Sequence, residues 1–332
     1  MISAGIVGCG YWGANMARNL LLSSRIEFIA AFDRDEERSD LLSADYEGVI
    51  FQKSIEAMLQ NDRLEAVVLT TPASTHYELA RQFLQAGKHV LVEKPACNSA
   101  SEMAELHQIA KDKSRVLMVD HTYLYSGPVK SIKNLLDQNG LGQMLYIDSV
   151  RINMGKVQSD INVVWDLATH DISIINRLTG TQPKSVQVSA ASHLPNRLEN
   201  IAYISLCYPD NVLANIHVSW SSPLKRREMI IGGSEKMLVY NDLKAVGKLT
   251  VYSSGHHISG KEGNWDVAYR NIDPSHLPYD DSEPLKEVIN NFVEAIENPN
   301  SVECKIDFDI EVLQVLEAAQ KSVDNDGLKV FL

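Results

Sequence analysis

The chain has 332 residues, of which 45% are hydrophobic and 22% are charged, and its formal net charge is −12. This composition is typical of a folded globular protein, and a chain of this length usually forms two domains. The sequence has no long basic run and therefore lacks the positive surface that binding to a nucleic-acid backbone requires, so we exclude nucleic acid as the main partner. No apolar run is long enough to span a bilayer, so we expect no membrane partner either.

The four cysteines are widely separated and show no metal-ligand spacing, so we predict no metal site. The first apolar run begins at residue 2, which leaves no room for a signal peptide. We therefore expect a reduced protein in the cytoplasm.

The first 32 residues predict a strand, a glycine turn, a helix and a second strand. The turn contains Gly8, Gly10 and Gly13, with Tyr11 and Trp12 between the last two. Gly8 permits the tight turn, Gly10 lets a pyrophosphate approach the backbone, and Gly13 lets the helix pack close to the strand. The N–H groups at the start of the helix then face the phosphates. This pattern predicts a dinucleotide site that includes all five residues.

Asp33 follows the second strand, at the position where a carboxylate accepts hydrogen bonds from the ribose 2′-hydroxyl of NAD. The same carboxylate would repel the 2′-phosphate of NADP, so the sequence favours NAD. Arg34 follows directly, and an arginine that swings outward could tolerate the phosphate, so NADP stays possible.

From Asp33 to about residue 119, predicted strands and helices alternate, which is typical of a parallel sheet covered by helices on both faces. Ligands bind beyond the carboxyl ends of the strands in such sheets. Several polar residues fall at those ends, and we expect them to line the cofactor site: Thr71, Pro72, Ser74, His76, Glu93, Lys94 and His121.

The second half of the chain has a different pattern. A predicted strand over residues 143–154 and a polar segment over 155–162 lead to a predicted helix from Asp166 to Leu178. Six short strands on short turns follow between residues 186 and 252, which predicts an antiparallel sheet with one open face. We therefore predict an α/β dinucleotide-binding domain over residues 1–122, and an α+β domain with an open, mainly antiparallel sheet over 123–332.

Three residues could carry catalysis. Lys94 lies between an acid and a proline at the end of a parallel strand, where Pro95 restricts its backbone, although a solvated loop lysine fits the tripeptide alone. Asp166 and His170 are four residues apart and share one face of the predicted helix. A histidine beside a carboxylate is a usual arrangement for removing a hydroxyl proton, but Asp166 could also be a helix cap and His170 merely exposed.

Taken together, these motifs resemble the Gfo/Idh/MocA oxidoreductases. The family's E-K-P motif matches Glu93, Lys94 and Pro95, and its D-x-x-x-H motif matches Asp166 and His170. The resemblance extends over essentially the whole chain and implies an N-terminal Rossmann domain and a C-terminal domain whose open sheet packs against partner subunits, as a homodimer or homotetramer. It also implies that Lys94 and His170 contact the hydroxyl being oxidised, with His170 as the base and Asp166 as its support. The glycine-rich triplet that often precedes the family's D-x-x-x-H is replaced in this chain by residues 162–165, Asn-Val-Val-Trp.

The resemblance leads us to expect an NAD-dependent dehydrogenase that acts on a secondary hydroxyl of a sugar or polyol. Two alternatives belong to other classes. One is a glycoside hydrolase that retains NAD and oxidises C3 only transiently, and net NADH formation distinguishes it from a dehydrogenase. The other is a non-catalytic dinucleotide sensor, which would not need Lys94, Asp166 and His170.

The polar segment before the predicted catalytic helix bears on the substrate. Its sequence resembles the branch of the family found among nucleotide-sugar enzymes, which implies oxidation at C3 of a UDP-linked N-acetylhexosamine or a related position. A diphosphate needs positive charge nearby, and Arg151, Lys156 and the basic cluster of residues 225–227 could supply it. The alternative substrate is a free polyol such as inositol, with the segment a plain surface loop.

Overall fold

A computed structural model describes residues 1–253, 256–261, 264–269, 273–298 and 306–332. The chain forms two compact units. The first unit consists of Met1–Tyr125 and Ser282–Leu313, and the second of Ser126–Asp281 and Gln314–Leu332.

Helices and strands alternate along the first part of the chain, and strands predominate in the second. The helices are α1 (Tyr11–Leu22), α2 (Glu36–Asp45), α3 (Ile55–Leu59), α4 (His76–Gln85), α5 (Ala100–Asp112), α6 (Gly127–Asp137), α7 (Thr169–Thr179), α8 (Pro284–Glu297) and α9 (Ile306–Asp324). The strands of the first unit are β1 (Ile2–Val7), β2 (Ile26–Phe32), β3 (Val49–Phe51), β4 (Ala66–Leu69), β5 (His89–Glu93) and β6 (Leu117–Asp120). Those of the second unit are β7 (Met144–Met154), β8 (Ser185–Ala191), β9 (Ile201–Cys207), β10 (Leu213–Ser219), β11 (Ser221–Gly233), β12 (Met237–Asn241), β13 (Leu249–Tyr252), β14 (His256–Lys261), β15 (Asn264–Tyr269), β16 (Pro274–His276) and β17 (Val330–Phe331). Among the helices that the structure describes, none combines the length and the apolar character needed to cross a bilayer.

The first unit is built on a six-stranded parallel sheet with the order β3-β2-β1-β4-β5-β6. This is the strand order of a Rossmann fold, in which the order reverses between β1 and β4. Strands β1, β4, β5 and β6 form because their residues are mainly apolar and are buried almost throughout, as expected for a sheet covered on both faces. The α/β fold predicted from the alternating pattern is confirmed.

Helix α8 belongs to the core of the first unit. Its buried residues Leu285, Ile289 and Phe292 share one hydrophobic cluster with α1 and the sheet. Ion pairs of Glu283 with Arg18, and of Glu294 with Arg25 at 3.0 Å, join the same two regions of the chain. The sequence predicts two continuous domains, whereas the chain returns to the first unit at Ser282. The apolar face of α8 is the reason, because it completes this core.

The second unit contains a nine-stranded sheet with the order β16-β13-β12-β11-β7-β10-β9-β8-β17, and β14 and β15 form a separate hairpin. Adjacent strands of the nine-stranded sheet are antiparallel, except for β7 and β10, which run parallel to each other. The mainly antiparallel sheet predicted from the sequence is confirmed. Along β9 and β10, buried residues alternate with exposed or partly exposed ones, so one face of the sheet lies in the core and the other is open.

Candidate active site

The glycine turn joins β1 to α1, and backbone contacts account for two of its glycines. Gly8 has a φ of +97°, and a Cβ there would lie 2.9 Å from the carbonyl carbon and oxygen of Thr70. A Cβ at Gly13 would lie 2.0 Å from the carbonyl oxygen of Gly8. The turn can therefore close, and α1 can approach β1, only with glycine at these positions.

The space beside the turn suits a phosphate. The nearest atom to a Cβ built on Gly10 is a guanidinium nitrogen of Arg38, 3.8 Å away. Within the described part of the chain, no side chain caps the start of α1, and its first turn carries no acidic residue. The free N–H groups at this end, together with the helix dipole, favour an anion. Tyr11 and Trp12 flank the turn, with exposed rings whose centroids are 5.3 Å apart.

Asp33 is fixed against the same turn. Its Oδ2 accepts a hydrogen bond from the backbone N–H of Cys9 at 2.6 Å, and its Oδ1 accepts one from that of Asp35 at 2.9 Å. Each oxygen keeps a lone pair for a further donor. Arg34 is exposed. Burial, with help from the charge of Asp33, raises the pKa of the Cys9 thiol to about 12, so the turn contains a neutral thiol.

The loop after β4 lies beside the turn, because the hydroxyl of Thr70 donates to the carbonyl of Gly8 at 2.6 Å. Thr71 is partly buried, whereas Pro72 and Ser74 are exposed. His76 is buried, with Nδ1 2.8 Å from the carbonyl oxygen of Pro95 and Nε2 2.7 Å from that of Thr71. This ring therefore ties the loops after β4 and β5 together.

Lys94 directly follows β5 and is partly buried. The residue before it, Glu93, pairs in register with Asp120 at the end of β6, and both carboxyls are buried. Burial is the main reason that the pKa of each is raised, and for Glu93 the charge of Asp120 adds to the effect. The hydroxyl of Thr122 donates to Asp120 Oδ1 at 2.8 Å.

His121 lies in a second buried cluster. Its Nε2 is 3.3 Å from Oδ1 of Asp309, and Nε2 of His107 is 3.5 Å from Oδ2 of the same carboxylate. Burial alone would raise the pKa of Asp309, but its polar and charge interactions with the two histidines outweigh burial and lower that pKa below its ordinary value. Asp309 comes from α9, so the sequence around His121 gives no sign of this contact.

In the second unit, Asp166 lies in a π-helical turn over Val164–Ala168, and His170 lies in the first turn of α7. The sequence predicts one continuous α-helix over this stretch. The wider turn is anchored by Asn162, whose Oδ1 accepts the backbone N–H groups of Val164 and Trp165, each at 3.1 Å. Such π-helical turns inside helices often occur at functional sites.

Asp166 has an aromatic partner that the sequence does not reveal. The indole Nε1 of the buried Trp220 donates to its Oδ2 at 3.0 Å. The carboxylate is thereby held in one orientation, near the start of α7. His170 is partly exposed.

The basic residues expected near a diphosphate differ in availability. Arg151 is buried and donates to Asp171 through Nε at 2.7 Å and Nη2 at 3.2 Å. Its charge is neutralised by Asp171, which makes Arg151 less available to a diphosphate than an exposed cation would be. In the basic cluster, Arg226 pairs with Glu228 at 2.6 Å and Arg227 with Asp242 at 3.5 Å. Lys156 and Lys225 are exposed.

The structure brings the predicted cofactor residues of the first unit to one edge of its parallel sheet. The turn, Asp33, the loop after β4, Lys94 and His121 all follow the carboxyl ends of strands that are hydrogen-bonded neighbours. This edge includes the reversal of strand order, where dinucleotides bind in such sheets. The open space at Gly10 and the uncapped start of α1 fit the pyrophosphate of NAD.

Comparisons with known proteins bear on the family of the chain. Among curated proteins, the chain is 29% identical over 230 residues to a 1-carboxy-3-chloro-3,4-dihydroxycyclohexa-1,5-diene dehydrogenase of Comamonas testosteroni. It is 28% identical over 216 residues to a UDP-N-acetylglucosamine 3-dehydrogenase of Acidithiobacillus ferrooxidans. Each match covers 65% of this chain, but only 57% of the first relative and 66% of the second.

A similar fold is seen in the crystal structure of GenD2 from gentamicin A biosynthesis, solved in complex with NAD, with a TM-score of 0.84 and 21% identity. That match covers 100% of this chain and 96% of GenD2. Residues 2–121 match the oxidoreductase family with an NAD-binding Rossmann fold, and residues 129–239 match the Gfo/Idh/MocA C-terminal domain. The chain therefore belongs to the Gfo/Idh/MocA oxidoreductase family, whose N-terminal domain has an NAD-binding Rossmann fold.

Proposed function

We propose that the protein is an NAD-dependent dehydrogenase that oxidises a secondary hydroxyl of a nucleotide sugar, at C3 of a UDP-linked N-acetylhexosamine or a related position. The proposed oxidation is supported above all by the position of Lys94. This lysine follows the carboxyl end of β5, at the same edge of the sheet as the glycine turn and Asp33. The substrate class is supported by the similarity to a UDP-N-acetylglucosamine 3-dehydrogenase.

Each catalytic residue has one task in this proposal. His170 takes the hydroxyl proton, and Asp166, held by Trp220, supports the imidazolium that forms. The ammonium of Lys94 stabilises the negative charge that develops on the alkoxide oxygen. The residues at this edge would hold NAD, which would supply the acceptor for the hydride of the carbinol carbon. Reduction in the reverse direction uses the same residues.

NAD is favoured over NADP because the Asp33 carboxylate is held beside the turn by two backbone N–H groups. A 2′-phosphate at this carboxylate would meet like charge, whereas a 2′-hydroxyl would donate to it. The residues proposed to contact the cofactor are those predicted from the sequence at this edge.

A second candidate is a dehydrogenase of a free ring alcohol such as inositol. It is favoured by the similarity to a dehydrogenase whose named substrate is a dihydroxylated carbocycle without a nucleotide. The pairing of Arg151 with Asp171 also favours it, because that pairing removes one cation that a diphosphate could use.

The test is NADH formation with UDP-N-acetylglucosamine, compared with myo-inositol and glucose under the same conditions. We expect saturable turnover of the nucleotide sugar and little turnover of the two free compounds. Faster turnover of myo-inositol, with no saturable response to any nucleotide sugar, would replace the first candidate by the second.

A further inference from the structure

Two buried carboxyls lie at the carboxyl ends of β5 and β6, and Lys94 directly follows the first of them. Glu93 is the last residue of β5, Asp120 is the last residue of β6, and the two are paired in register on neighbouring parallel strands. Glu93 is 7% exposed and Asp120 is 0% exposed. Two carboxylates that lie on neighbouring strands and are shielded from solvent cannot both be charged without a large electrostatic cost.

Hydrogen bonding points to one proton between them. Thr122 donates to Oδ1 of Asp120, but within the described part of the chain Oε1 of Glu93 and Oδ2 of Asp120 have no donor. Buried oxygens are rarely left without a partner. A protonated Glu93 that donates to Asp120 adds the missing donor, and the raised pKa of Glu93, caused first by burial and then by the charge of Asp120, agrees with this arrangement.

The charged groups around the pair are cationic or can become so. Lys94 follows Glu93, and its backbone N–H donates to the Glu93 carboxyl. His121 follows Asp120, and the charge of each neighbour favours the ionised form of Asp120. Beyond His121 lies Asp309, which already contacts both His121 and His107. The negative charge left on the pair is therefore stabilised by the charge of Lys94 and by that of His121 when it is protonated.

We propose that Glu93 and Asp120 act as positioning residues that share a single proton, and that the one negative charge left on the pair attracts and orients the side chain of Lys94 at the strand end. This inference rests on the catalytic role proposed above for Lys94. Either carboxyl can carry the charge, because a buried dyad titrates as a unit.

The first test needs no substrate. Infrared spectroscopy of the whole protein at neutral pH should show the C=O stretch of one protonated carboxylic acid, which deuterium exchange shifts. The band should vanish in the double variant, in which Glu93→Gln is combined with Asp120→Asn, because no carboxyl of the pair is left to hold the proton. Asp112→Asn, an exposed carboxylate of α5, is the matched control and should leave the band unchanged. A wild-type spectrum without the band would overturn the shared proton.

The second test separates the charge from the packing. Each single variant keeps one carboxyl, so we expect each to lose less of the wild-type rate than the double variant loses. The double variant has no charge left: its kcat should fall by roughly tenfold or more. The alkaline limb of its kcat/KM profile should move down by about one to three pH units. Small, additive effects of the two substitutions on kcat would refute the proposal that the pair supplies a negative counter-charge to Lys94.

The outcomes also distinguish this inference from the proposed function. NAD affinity and thermal unfolding, measured for all variants, show whether the first unit has folded. If the wild type oxidises no alcohol while the infrared band behaves as expected, the proposed function fails and the shared proton stands. If the wild type is active and the double variant keeps its rate and pH profile, the function stands and the counter-charge fails.

Discussion

At the scale of single residues, Asp33 decides which dinucleotide the turn accepts. Replacing Asp33 with serine removes the charge and the two carboxylate oxygens that would accept hydrogen bonds from the ribose hydroxyls. NAD should bind roughly tenfold to a hundredfold more weakly, because hydrogen bonds to charged groups contribute about 1.5–3 kcal/mol. NADP should bind better relative to NAD, since the repulsion of its 2′-phosphate is gone.

Fluorescence titration of both cofactors measures this change. Asp33→Asn is the matched control, because it keeps an oxygen for the backbone N–H of Cys9 while losing the charge. An unchanged ratio of the two dissociation constants in Asp33→Ser would exclude Asp33 as the selector.

Lys94 has a different expected effect. Lys94→Ala should slow turnover by roughly 10²–10⁴ and leave the dissociation constant of NAD nearly unchanged, because the ammonium acts on the reacting oxygen. Lys111→Ala, at an exposed lysine of α5, should leave both quantities unchanged. Steady-state kinetics and cofactor titration provide the measurement, and near-normal turnover of Lys94→Ala would contradict the assigned role.

The site could be predicted only where its signals are local in the sequence. The glycines and Asp33 lie within one strand–helix–strand unit, so their spacing is informative. Asp166 meets Trp220, and His121 meets Asp309, only through folding. The shared burial of Glu93 and Asp120 depends on the pairing of β5 with β6, which the sequence does not specify.

At the scale of elements, hydrophobic pattern predicted most helices and strands but not their partners. Strand β10 follows β9 through a tight turn and pairs with it, and its other neighbour is β7, to which it runs parallel. In the sheet, β7 lies between β10 and β11, which are consecutive in the sequence. The π-helical turn before α7 was also beyond prediction, since it depends on the hydrogen bonds of Asn162. A local pattern does not encode contacts of this kind.

Helix α8 gives a test at this scale. Phe292 is 2% exposed and lies in the core cluster of the first unit. Phe292→Ala should lower the free energy of unfolding by about 3–5 kcal/mol, because it removes buried apolar surface and leaves a cavity. Lys286→Ala, at an exposed position of the same helix, should change it by less than about 0.5 kcal/mol.

Denaturant unfolding followed by circular dichroism measures both variants. A loss in Phe292→Ala no larger than that in Lys286→Ala would show that α8 contributes little to this core.

At the scale of the whole molecule, the open face of the nine-stranded sheet is a candidate surface for contact with another subunit. Tyr203 on β9, Leu213 on β10 and Ile230 on β11 are 55%, 41% and 38% exposed, and the register of the strands puts them on one face. An open sheet face that carries large exposed apolar side chains is a candidate association surface. We therefore expect a homodimer or homotetramer that packs through this face.

Light scattering at micromolar concentration should give the mass of an oligomer. Tyr203→Glu combined with Ile230→Asp should shift the protein toward the monomer, because it places charges in the interface. Leu41→Asp, at a residue 61% exposed on α2, is the control and should not change the mass. A monomeric wild-type protein would contradict the prediction.

The return of the chain to the first unit at Ser282 also has a consequence for synthesis on the ribosome. The first 125 residues contain all six strands of the parallel sheet, but their core stays open until α8 has emerged. At bacterial-type translation rates the intervening residues 126–281 take roughly ten to thirty seconds. During that interval the nascent chain presents the apolar surface that later receives Leu285, Ile289 and Phe292, which makes it a substrate for chaperones, and the nucleotide-binding half becomes complete only near the end of translation.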